Sequence, residues 1–106
     1  MTVGESFEAM AGLFSPAAAA GMTKTFQWVI TGEDSGKWAF KIVNGQGELI
    51  PGGVEKADVT FTVSDKDWLA IGEGKIDPMN AFMTGKLKVS GDMMLGMKTP
   101  TLFPRQ

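Results

Sequence analysis

The apolar residues of this chain recur with a spacing that changes along its length. Near the N-terminus Phe7, Met10, Ala11 and Phe14 stand three and four residues apart, which places them on one face of a helix. Ser15-Pro16 then predicts a second, short helix at Ala17–Ala20, because Ser caps well and Pro is tolerated in a first turn. Gly21 closes it. From there the spacing drops to two. Phe26, Trp28 and Ile30 alternate with Thr25, Gln27 and Thr31, and Trp38, Phe40 and Ile42 alternate with Lys37, Ala39 and Lys41. Such alternation marks half-buried antiparallel strands.

Turn residues separate these runs. Gly32–Gly36 joins the first two strands, and Asn44-Gly45 predicts a tight turn into a third strand at Glu48–Ile50. Pro51-Gly52-Gly53 ends that strand. A fourth carries Val59, Phe61 and Val63 on one side and Thr60 and Thr62 on the other. Ser64-Asp65-Lys66-Asp67 resembles a capping box, with Asp for the usual Glu, ahead of a helix bearing Trp68, Leu69 and Ile71. Asp77-Pro78 starts another, with Met79, Phe82 and Met83 on one face. Lys86–Ser90 reads as a fifth strand, and Asp92 caps a last short helix containing Met93, Met94, Leu95 and Met97. Pro100 is expected to stop it. The order predicts one α+β domain over residues 1–106, a five-stranded and mostly antiparallel sheet with helices gathered on one face.

Composition narrows what such a domain does. The chain has 106 residues, 43% of them hydrophobic and 21% charged, with a net charge of −2. That is a globular composition, and nothing in it suggests a nucleic-acid partner, which calls for a basic patch. Charge is slightly polarised: Glu5 and Glu8 sit near the start, whereas Lys86, Lys88, Lys98 and Arg105 outnumber Asp92 near the end. This is an ordinary solvated surface or a weak patch for anionic headgroups. The longest uncharged stretch, Ala9–Thr23, is too short to span a bilayer, which takes roughly 20 apolar residues. It is preceded by Glu5 and Glu8 where a secretory signal would be basic, so a cytoplasmic location is expected.

Candidate chemistry is sparse. The chain lacks both Cys and His, which removes thiol nucleophiles, His-based triads and the commonest zinc ligands. Gly32–Lys37 is one residue short of a phosphate loop and is followed by Trp38. Gly45-Gln46-Gly47 begins a dinucleotide fingerprint that Ile50 fails to complete. Both stretches read as hairpin turns. Asp65 and Asp67 stand at a helix start, where negative charge is favoured for structural reasons. No metal, cofactor or enzymatic activity is expected.

Methionine is what remains. Of eight, five lie between Met79 and Met97. Its unbranched, polarisable side chain adapts to irregular apolar shapes. On the last helix the Met residues and Leu95 cover more circumference than packing on a sheet requires. The surplus must meet a ligand, a partner chain or the C-terminal residues Leu102 and Phe103.

The segments Asp58–Asp65, Trp68-Leu69, Gly74–Met79, Ala81–Val89, Gly91-Asp92-Met93 and Met97-Lys98, in this order and spacing, resemble the sterol carrier protein type-two family of non-specific lipid-transfer domains. Phe14–Gly21 and Gly36-Lys37-Trp38 are similar to it as well, so the resemblance covers nearly the whole chain. It implies an apolar tunnel between sheet and helices and binding of a fatty acid, fatty acyl-CoA, sterol or phospholipid without catalysis. It carries over no catalytic residue. The tunnel lining it implies here is Trp28, Phe40, Phe61, Trp68, Met79, Phe82, Met83, Met94 and Met97. Peroxisomal members end in a targeting tripeptide that Pro104-Arg105-Gln106 does not match. The expected partners are a lipid or acyl-chain ligand and at most a transient membrane surface, with the protein a monomer or weak homodimer. Two rival readings are a non-catalytic interaction or dimerisation module for a partner enzyme, and an enzyme acting on a lipid through Asp58 or Asp92.

Overall fold

A computed structural model of the chain describes residues 1–104. Arg105 and Gln106, which carry part of the C-terminal charge and most of the final tripeptide, lie outside the described residues. Strands β1 (Lys24–Thr31), β2 (Gly36–Val43) and β3 (Gln46–Pro51) form the expected meander, followed by β4 (Val59–Ser64) and β5 (Leu87–Gly91). The sheet order is β3-β2-β1-β4-β5. Three pairings are antiparallel, and the central β1–β4 pairing is parallel.

Register explains why period two served so well. Trp28 stands opposite Trp38 on one side and Phe61 on the other; Phe26 stands opposite Phe40 and Val59. Phe61 in turn faces Val89, and Val63 faces Leu87. Most of the large apolar side chains of the sheet therefore share one face, with Val29, Val43 and Ile50 on the other. Helices α1 (Val3–Gly12), α2 (Asp65–Gly72), α3 (Pro78–Met83), α4 (Met93–Met97) and α5 (Thr99–Leu102) supply the rest. On the opposite face the segment after β3 crosses over to reach β4. Gln27 is buried there and accepts the Val54 N–H at 2.8 Å.

Two expectations are corrected. Residues Pro16–Gly21 are not a helix but a run of turns. Ser15 does cap them, its Oγ accepting the Ala18 N–H at 3.3 Å. The segment is too short to sustain itself as helix, and of its four alanines only Ala19 is buried. The helix of Met93–Met97 does stop short of Pro100, with Lys98 as its cap, but it is not the last: Pro100 belongs to a further helix, α5. It occupies the first turn of α5, where its missing N–H costs nothing.

Side-chain oxygens hold the starts of four helices: the Thr2 and Ser64 hydroxyls cap α1 and α2, and the Asp77 and Asp92 carboxylates cap α3 and α4. Thr2 and Glu5 form a full capping box on α1, and the Thr2 N–H holds the Glu5 carboxyl below its ordinary pKa. Asp34, in the β1–β2 loop, accepts the Val3 N–H at 2.9 Å, while its own N–H donates to Asp65 Oδ2 at 2.9 Å. That donation holds the Asp65 carboxyl below its ordinary pKa. One chain of hydrogen bonds thus joins α2, the hairpin loop and α1. Gly32 sits at φ +106°, and a Cβ there would run into the Asp65 carboxylate. Gly32→Ala is expected to cost about 2 kcal/mol from strain and collision, lowering Tm by roughly 10 °C. An unchanged melting curve would mean that Asp65 swings clear at no cost.

Candidate functional site

The inner face of the sheet is closed by aromatic rings. Phe7 of α1, fully buried, stacks on Trp68 at 4.6 Å and Trp38 at 5.2 Å, and tilts against Trp28 at 5.6 Å between ring centroids. Trp28 also stacks on Phe61 at 5.5 Å. Phe103 meets Phe14, Trp28 and Phe40. The half-buried Trp68 donates its indole N–H to Ser6 Oγ at 2.8 Å, so the one polar atom that α2 brings into this cluster has a partner on α1. No buried side-chain N or O among the described residues lacks a hydrogen bond.

Beside this closed cluster lies an open apolar surface. α3 and α4 both pack on β5, the edge strand. Asp77 caps α3 by accepting the Asn80 N–H, and Asp92 caps α4 by accepting the Leu95 N–H. The caps fix which side of each short helix turns inward. On α3 the buried residue is Ala81; on α4 it is Leu95. Gly96 lies against Phe61 and Val59, so close that a Cβ would stand 3.4 Å from each. The methionines point the other way. Met83 is 77% exposed, Met94 74% and Met97 68%, with Met79, Phe82 and Met93 also in solvent.

The residues read as lining therefore fall into two groups. Trp28, Phe40 and Phe61 are buried and Trp68 is half-buried, all in ring contact with one another or with neighbours. Met79, Phe82, Met83, Met94 and Met97 are exposed on α3 and α4. Leu102 and Phe103 are buried, with Phe103 packed on the aromatic cluster, so they do not take up the surplus methionine surface. Sequence alone places Phe7 only on a helix face, although it binds three tryptophans together; its apolar neighbours Val3, Met10 and Ala11 on the same face of α1 are the available signal.

Groups that could do chemistry are engaged elsewhere. Asp58 is exposed and accepts the Thr25 N–H at 2.7 Å, tying the start of β1. Asp92 serves as a cap. Among the described residues no three acidic side chains gather as metal ligands, and no helix is long and apolar enough to cross a membrane.

Comparison with known proteins places this arrangement. Hydroxysteroid dehydrogenase-like protein 2 of Xenopus tropicalis is 38% identical over 95 residues, covering 89% of this chain and 23% of that protein. Human sterol carrier protein 2 is 45% identical over 65 residues, covering 61% of this chain and 12% of that protein. The chain thus spans less than a quarter of the length of either. Among solved structures, palmitated SCP2L2 from Aedes aegypti superposes with a TM-score of 0.76 at 26% identity, over 100% of this chain and 97% of that one. The sequence profile of the SCP-2 sterol transfer family matches residues 8–104, and this chain belongs to that family.

Proposed function

We propose that this chain is a non-catalytic carrier that binds an acyl-chain lipid through the apolar side chains of α3 and α4 and the sheet face beneath them. The observation that carries this reading is the set of methionines with Phe82 left in solvent beside a closed aromatic cluster, with nothing from the described chain covering it. Its membership of a sterol transfer family supports the same class of ligand, as does the likeness to a protein solved in a palmitated form. Met79, Phe82, Met83, Met94 and Met97 make the outer contacts of the ligand. Phe61 and Trp68 lie deeper. Trp28 and Phe40 form the floor, reached as neighbouring rings part.

Such a site works by sequestration. Each methylene removed from water contributes about 0.8 kcal/mol whatever the headgroup, and methionine adapts to the chain it meets. The carrier is therefore expected to accept acyl chains broadly.

Native mass spectrometry of the purified protein, before and after mild organic extraction, tests this. The expected result is a co-purified acyl lipid at near-stoichiometric level that extraction removes. A clean protein mass, with no change in the fluorescence of the clustered tryptophans on titration with fatty acid, would overturn the carrier reading. It would leave the exposed face as an interaction surface for another protein.

A further inference from the structure

Sulfur is distributed unevenly over the fold. On α3 and α4 the buried positions are Ala81 and Leu95, and every methionine of the two helices is exposed. Met10 and Met22, by contrast, are half-buried and packed against the core. Met1 is exposed as well, ahead of α1, a helix that packs on α2 and β3. Leucine would present the same apolar surface without a reactive atom. A thioether in solvent is open to peroxides, which turn it into a sulfoxide, a polar and chiral group that methionine sulfoxide reductases convert back. The chain holds no cysteine, so no thiolate competes for the oxidant. An oxidant therefore reaches the sulfurs of the ligand-binding face before those packed on the core.

We propose that Met83, Met94 and Met97 form a reversible oxidation site, at which a peroxide releases the bound acyl lipid. A sulfur lone pair takes the outer oxygen of the peroxide as the O–O bond breaks. Sulfur is oxidised by two electrons and the peroxide is reduced; with hydrogen peroxide the other oxygen leaves as water. These three sulfurs belong to the most exposed side chains of the face, so they react first. For an acyl chain to stay, each sulfoxide oxygen must then shed its water against hydrocarbon, and an unpaired polar group in an apolar setting weakens binding. The fold is spared, because no core side chain has changed and changes at the surface move stability little. The release rests on the carrier reading; the order of oxidation does not.

The full chain, freed of lipid by organic extraction, is treated with a limited dose of hydrogen peroxide. Peptide mass spectrometry locates the added oxygen, and fatty-acid affinity is read by tryptophan fluorescence before and after. The expected map shows oxygen at Met83, Met94 and Met97 while Met10 and Met22 remain thioethers. Affinity is expected to fall about tenfold or more, in keeping with an unpaired polar group set against hydrocarbon, and the melting curve should not move. Methionine sulfoxide reductases A and B with dithiothreitol should restore both mass and affinity. The triple variant Met83→Leu, Met94→Leu, Met97→Leu, whatever its starting affinity, should keep it through the same treatment although Met1 takes oxygen. Oxygen at Met10 or Met22 first, an oxidised parent that binds as before, or a melting temperature that falls with the affinity would each overturn the proposal and leave the carrier reading standing. So would an equal loss in the triple variant or a loss that the reductases fail to reverse. A parent that binds no fatty acid before treatment would instead remove the carrier reading, and the release with it.

Discussion

Phe7→Ala is expected to destabilise the fold by about 3–5 kcal/mol, the range for deleting a large aromatic side chain from a core. Phe7 is fully buried and its ring touches Trp28, Trp38 and Trp68. Through these rings α1 is joined to both the sheet and α2. Each such ring pair is worth about 0.5–1.5 kcal/mol beyond the area it buries. Set against a total stability of about 5–15 kcal/mol for a domain of this kind, the loss is a large fraction. Urea unfolding followed by tryptophan fluorescence should show the midpoint falling by roughly 2 M. A loss under about 1 kcal/mol would mean that the three tryptophans close over the gap, and that α1 is an accessory to the core rather than its lid.

Met83→Asp and Met97→Asp should do the reverse, sparing the fold and removing its ligand. Both side chains are largely exposed, so each substitution should stay within about 0.5 kcal/mol in stability. In the carrier reading both side chains touch an acyl chain, and a carboxylate there must be stripped of water against hydrocarbon. Each variant is expected to lose at least tenfold in affinity for fatty acid, which corresponds to about 1.4 kcal/mol. Titration of the extracted protein with a fatty acid, read by tryptophan fluorescence, measures it. Undiminished affinity in a folded variant would falsify its place in the site and move the lining inward, toward Phe61 and Trp68.

These two outcomes mark how far the sequence could be read. Strand positions were legible because most large apolar residues of β1, β2 and β4 sit at period two and the register puts them on one face. The parallel pairing of β1 with β4 was not, because alternation says which face is apolar and nothing about strand direction. Helix starts were legible wherever Ser64, Asp77 or Asp92 offered a cap. The alanines of 17–20 misled because propensity without length does not make a helix. The orientation of α4 was illegible for a different reason. Its five residues are apolar or Gly on every side, so amphipathicity selects no inward face. Packing chose Leu95 and Gly96, the pair that lets the helix approach Phe61 and Val59, and turned the methionines out. The lining list therefore joined core rings to surface methionines, two sets that sequence alone could not tell apart.

The parallel pairing also sets a timetable for the nascent chain. β1 finds its antiparallel neighbour β2 across a short loop, a local event on the microsecond scale. Its other neighbour, β4, lies beyond β3 and the crossing segment, and Phe26 meets Val59 only after that stretch has been synthesised. Trp28 waits longer still for Trp68 and Phe103. During translation the central strand therefore presents an unpaired edge and an uncovered aromatic face until the last residues of the core leave the ribosome. This is the interval in which the protein is most open to capture by chaperones or by a neighbouring copy of itself.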